Sequence, residues 1–198
     1  MAEVRRACTR ARERHEHGAA TLEAVALNAG ELLAEERPEV RKRRASLMNG
    51  EYGRLSGTAL VAQAGKKLTA VMQIVHSQGV SLAVLSGTGL RSGSKDASWV
   101  HEVLTTGEFS GWRLEMSGAA EGDEKAGVAV WYDGNLLESV GQAEHLLQGR
   151  LLQLCLRVKA DATEVALIAA YAPPRSDTAG GQHEELRERF WSMLRNRL

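Results

Sequence analysis

The stretch from Lys66 to Leu90, KKLTAVMQIVHSQGVSLAVLSGTGL, decides the fold class. Leu68, Val71, Met72 and Val75 recur at three- and four-residue spacing, which puts one apolar stripe on a helix over residues 66–78. Gly79 ends that helix, since a glycine just past the last periodic residue accepts the left-handed backbone of a helix terminus. Val80, Leu82, Val84 and Leu85 follow at once as a short, mostly apolar strand. A singly striped helix running straight into an apolar strand is the second half of a β-helix-β unit, with parallel strands and a right-handed crossover. The chain therefore reads as an α/β protein.

Toward the N-terminus, residues 1–36 read as helical, because Ala, Leu, Glu and Arg dominate and Pro is absent, with breaks at Gly18 and Gly30. Pro38 closes this section. A basic run, Arg41, Lys42, Arg43 and Arg44, leads into the apolar piece Ala45 to Met48, the expected first strand of the β-helix-β unit. The expected organisation is a helical, Arg-rich extension over residues 1–44 and one globular domain over residues 45–198.

Toward the C-terminus the pattern turns to strands: Trp112 to Met116, Gly127 to Tyr132, Leu151 to Val158 and Glu164 to Tyr171, with Asp133-Gly134-Asn135 as a turn signal. The last two are joined by Lys159 to Thr163 as a hairpin, and Val165 to Ala170 is so uniformly apolar that both of its faces want cover. Pro173 and Pro174 stop that strand. Gln182 to Leu198 form a closing helix with Leu186, Phe190 and Leu194 on one face, and the chain ends inside it. One helix covers one face, so an apolar sheet face is expected to stay open and drive association.

The composition sets outer limits. Hydrophobic residues at 43% exclude a disordered chain, and 25 basic against 25 acidic residues leave no global field for nucleic acid or an anionic membrane, so any polyanion contact must be local. Cys8 and Cys155 stand too far apart in sequence to suggest a disulfide framework or a paired-cysteine metal site, which fits a reducing, intracellular compartment. No apolar run approaches the roughly 20 residues that span a bilayer, so membrane insertion is not expected. Arg5, Arg6, Arg10, Arg12 and Arg14 suit an organellar, for example mitochondrial, transit segment, but Glu3, Glu13 and Glu16 do not, and import stays open.

Three strings, taken in their order along the chain, carry a family likeness. Val80-Ser81-Leu82-Ala83-Val84-Leu85-Ser86-Gly87-Thr88 is similar to a strand ending in Leu-Gln-Glu-Thr; Ala126-Gly127-Val128-Ala129-Val130 to a Gly-Gly-Val-Ala strand; Ala169-Ala170-Tyr171-Ala172-Pro173-Pro174 to an Asn-x-Tyr-Ala-Pro segment. Together with the Phe190-Trp191 helix they resemble the endonuclease/exonuclease/phosphatase superfamily, in particular the apurinic-type endonucleases of retrotransposons, from about residue 45 onward. The resemblance implies a partial two-layer fragment of that family's α/β sandwich with an α-helical N-terminal extension.

The family's members are magnesium-dependent phosphodiesterases, whose hard cation is anchored by a glutamate carboxylate. Ser86-Gly87 stand where the family has Gln-Glu, so the resemblance puts Gly87, which has no side-chain oxygen, at the metal-anchoring position. The family's later Gly-Asp-x-Asn and Ser-Asp-His motifs, which supply the residues handling the water and the phosphate, do not occur. Asn49 is the weak match to the opening Asn-x-x-Gly motif, and its plainer reading is a turn residue. Tyr171 matches a tyrosine that touches the phosphate in active relatives, and its plainer reading is a tyrosine at a strand end packed by its ring. Asn49, Gly87 and Tyr171 are thus relic positions, with no catalytic residue, metal or cofactor expected.

Other features carry less. His15 and His17 fall on different helix faces, and Ser86 lacks a Gly-x-Ser-x-Gly elbow. Trp112 and Trp131 sit on strands and read as core. Arg41, Lys42, Arg43 and Arg44 form the one concentrated charge, read either as a contact to a partner, including RNA or DNA phosphates, or as a solvated linker. The functional expectation is a non-catalytic scaffold subunit of a larger, for example ribonucleoprotein, assembly, with other protein subunits as partners; the alternative is the N-terminal part of a magnesium-dependent phosphodiesterase.

Overall fold

A computed structural model describes residues 24–28, 66–123, 125–173 and 182–198. In chain order these form β1 (Ala24–Asn28), α1 (Lys66–Ser77), β2 (Leu82–Ser86), α2 (Lys95–Thr105), a 3-10 turn (Gly107–Phe109), β3 (Trp112–Ser117), β4 (Val128–Asp133), β5 (Leu137–Ser139), β6 (Glu144–Leu147), β7 (Leu151–Val158), β8 (Glu164–Ala170) and α3 (Gln182–Arg195). Two sheets result. The first has the order β1-β2-β4-β3, with β1 and β2 parallel and the other pairs antiparallel. In the second, β8 runs antiparallel along one edge of β7, and the short strands β5 and β6 share its other edge.

The α/β reading holds, and alternation explains how the layers stack. On the outer face of the first sheet, Val71, Met72 and Val75 of α1 and Val100 and Leu104 of α2 share a buried cluster with Ala83, Leu85, Ala129 and Trp131. Ser94 caps α2, its hydroxyl accepting from the Ala97 amide at 3.1 Å and satisfying one of the donors a helix start leaves free. Between the sheets, Leu82, Val128, Val130 and Tyr132 meet Leu152, Leu154, Leu156 and Ala169. On the outer face of the second sheet, Leu151 and Leu147 are covered by Phe190 of α3, with Ile168, Leu186 and Leu194 alongside. β4 is buried on both faces because it lies mid-sheet between helices and the second sheet. Trp131 and Trp112 are core residues, stacked with ring centres 3.6 Å apart, and the Trp131 indole donates to the Leu104 carbonyl at 2.6 Å. A buried indole needs such a partner.

Three expectations change. Residues 24–28, read as helix, are a strand hydrogen-bonded in the first sheet, so part of the 1–44 section belongs to that sheet rather than to a helical extension. The β-helix-β unit is present, with β1 as its first strand; the stretch Ala45 to Met48 lies outside the described residues. The open apolar face is also absent among the described residues, since the second sheet packs on the first with one face and on α3 with the other. Among the described residues, Leu136, Trp191 and Leu198 are the large hydrophobic side chains left exposed. No helix of the described residues is long and apolar enough to cross a membrane.

A candidate site at the carboxyl end of β2

In open α/β sheets ligands bind beyond the carboxyl ends of the strands. At that end of β2, the parallel register sets Asn28 beside Ser86, and the Ser86 hydroxyl reaches back to the Leu27 carbonyl at 3.3 Å. Gly87 follows directly. Its φ of 66° lies in the left-handed region, where a side chain is disfavoured. The glycine lets the chain turn sharply out of the strand and offers no side-chain oxygen there.

That turn folds the next residues back onto the start of β4. The Thr88 amide donates to the Gly127 carbonyl at 3.1 Å and the Gly89 amide to the Ala126 carbonyl at 2.6 Å, and Thr88 is fully buried. The approach is so close that a Cβ on Gly127 would collide with the Thr88 Oγ1. From the second sheet, the Gly149 carbonyl accepts from the Gly127 amide at 2.8 Å, and the Gly149 amide donates to the buried Ser117 hydroxyl at 2.9 Å. Short backbone and hydroxyl contacts thus join the ends of both sheets.

A buried charge finishes this end. Arg150 is only 2% exposed, and its guanidinium donates to one oxygen of Asp123 from Nε at 3.0 Å and from Nη2 at 2.6 Å. Nη1 donates to the Tyr171 and Ala172 carbonyls at 3.3 and 3.2 Å, and the guanidinium carbon lies 4.9 Å from the Tyr171 ring centre. The Arg150 carbonyl takes the Tyr171 amide at 2.9 Å. One arginine thereby ties the β3-β4 loop, the start of β7 and the chain leaving β8, the multidentate arrangement for which a planar guanidinium is suited. Beside it is an open cavity of about 710 Å³, lined among others by Glu121, Asp123, His145, Arg150, Leu186 and Arg189.

The fold brings the sequence candidates Gly87 and Tyr171 to this same end. Tyr171 serves there as a packing partner of Arg150. Asn49 and the run Arg41, Lys42, Arg43 and Arg44 lie outside the described residues. The Arg150–Asp123 pair was missed in the sequence; its one signal is an arginine set between Gly149 and the apolar Leu151-Leu152, a charge at the mouth of a core strand.

The side chains described at this end do not suit a magnesium ion. Hard cations of this kind want carboxylate oxygens, yet Gly87 offers none, the Ser86 and Thr88 hydroxyls are neutral, and the nearby Asp123 is engaged by Arg150. Among the described residues no group of three or more His, Cys, Asp or Glu side chains could hold a metal.

No family model and no curated protein matches the sequence. Among solved structures, the chain is similar to the AP endonuclease LMAP from Leishmania major, at 18% identity and a TM-score of 0.46, over 66% of this chain and 42% of that one. It is also similar to the APE2 catalytic domain from Xenopus laevis, at 18% identity and a TM-score of 0.44, over 67% of this chain and 50% of that one. The chain spans half or less of each of these two structures.

Proposed function

We infer that the chain acts as a non-catalytic structural subunit of a larger assembly, built on a degenerate nuclease-like domain. Gly87 carries this reading. The resemblance sets it where active relatives hold the cation, and in the fold it has neither a ligand atom nor a backbone that readily accepts one. The surroundings support it: Thr88, Gly127, Gly149 and Arg150 fill the strand end with contacts that hold the fold together. Arg41, Lys42, Arg43 and Arg44 supply the contact to protein partners or to RNA or DNA.

The direct test incubates purified chain and magnesium with abasic-site duplex, plain duplex DNA and RNA. No chelator-sensitive cleavage is expected. Cleavage that chelator abolishes and Tyr171→Phe lowers would overturn the reading, because contaminating nuclease would ignore the substitution. Replacing the four basic residues by Ala should weaken assembly. If the partner is nucleic acid, the slope of log affinity against log salt should also fall by up to about 0.9 per lost phosphate contact.

A further inference from the structure

The geometry points to a second copy of this chain pairing along the outer edge of β8, in register about a two-fold axis. β8 is hydrogen-bonded to β7 alone among the described strands. Which of its groups remain free follows from the ladder: the Val158 amide donates to the Thr163 carbonyl and the Tyr171 amide to the Arg150 carbonyl, so the odd-numbered residues 163–171 turn their backbone toward β7. The N–H and C=O groups of Glu164, Ala166, Ile168 and Ala170 consequently point away from the sheet. Such a row is a template for another strand.

Sheet edges are usually guarded by charge, proline, a bulge or shortness. Several other edges among the described strands are: β3 carries Arg113 and Glu115, β6 has an irregular register between His145 and Leu147, and β5 is three residues long, whereas β1 (Ala24–Asn28) is unguarded like β8. The interior of β8, from Val165 to Ala170, has none of these. Its outward residues Ala166 and Ala170 are exposed and small, so a neighbouring backbone can approach.

The strand is also complementary to itself, which selects a second copy as the occupant. In antiparallel register with Leu167 on the axis, Ala166 lies opposite Ile168 of the other copy and Glu164 opposite Ala170 of the other copy. The parity is right, because all four outward residues then form hydrogen-bonded pairs. The strand's one charge, Glu164, sits at its beginning and is neutralised by Arg157 at 2.7 Å, so full overlap separates the two carboxylates to opposite ends. Two-fold dimers are the commonest closed assemblies, and such a pairing closes on itself without extending into a fibre.

Sedimentation of the full chain over a wide concentration range tests this. The parent should show a monomer-dimer equilibrium. Ala166→Pro should weaken it about tenfold or more, because the Ala166 N–H faces outward and its loss leaves the β7 ladder untouched; circular dichroism and the thermal midpoint should stay near those of the parent. Should that variant misfold, Ala166→Lys, an exposed charge on the same edge, decides in its place. A parent that stays monomeric throughout, or a dimer that survives in the folded variant, overturns the pairing.

Discussion

The two ends of the sandwich are built from different materials. At the Gly87 end, buried groups hold the loops: Arg150 against Asp123, Ser117 under Gly149, and Gly127 pressed on Thr88. At the far end, exposed turn chemistry does the work. The Asn135 amide bonds the Asp133 carboxylate at 2.8 Å, the Thr163 amide bonds that of Asp161 at 2.9 Å, and the Lys159 ammonium donates to the Gly134 carbonyl at 2.7 Å. Water can replace any of the latter bonds, but it cannot reach most of the former. The fold has therefore concentrated its unforgiving interactions at the Gly87 end.

Substitutions at each end should expose that contrast. Asp123→Ala takes the counter-charge from a buried guanidinium that keeps the Tyr171 and Ala172 carbonyls as acceptors, and should cost about 3 kcal/mol, whereas Lys159→Ala at the far end should cost less than about 1 kcal/mol. Urea melts of the two variants check this, and equal losses would erase the distinction. Next in size, Gly127→Ala puts a methyl into the Thr88 hydroxyl at a φ of 109° and should cost roughly 2–3 kcal/mol. Adding Thr88→Ala should return part of that loss, leaving the backbone share.

Gly87→Glu adds a carboxylate at the end of β2 but strains a left-handed backbone, so about 1–2 kcal/mol of stability should be lost and no magnesium-dependent cleavage gained. Ala162, at a φ of 59°, is the non-glycine residue held left-handed in the far turn; Ala162→Gly should raise stability by up to about 1 kcal/mol. The smallest effect is one of pH. Hydrogen bonds from Thr163 hold the Asp161 carboxyl below its ordinary range. A depressed carboxyl contributes fully above its unfolded value of about 4 and loses that contribution as pH falls through the folded value. The difference in thermal midpoint between parent and Asp161→Ala should thus be flat near neutrality and shrink in acid.

Which parts of this were legible beforehand follows from the range of the forces. α1, β2, β7, β8 and α3 came from local periodicity, and their observed bounds differ from the expected ones by at most a few residues. β1 was hidden because Ala and Leu are strong helix formers; its strand state is imposed by pairing with β2, a tertiary effect that outweighs propensity. α2 did carry readable signals in the Ser94 cap and the spacing of Ala97, Val100 and Leu104. At the site, Gly87 stood out only through the family resemblance. The Asp123–Arg150 pair, 27 residues apart, has no local signature at all.

The parallel pairing of β1 with β2 also sets an order of events. Its contacts join residues as distant as Leu27 and Ser86, 59 positions apart, whereas β7 and β8 meet across a five-residue turn. Closing the longer loop costs chain entropy before any pairing repays it, so the β7-β8 hairpin can form early while β1 adds to a sheet already assembled. In the native protein the same asymmetry runs in reverse. β1, with one neighbour among the described strands, should open first, and its amides should exchange with solvent well before those of β4 and β7. The segment that looked helical in isolation would then be the one that returns most often to that local choice.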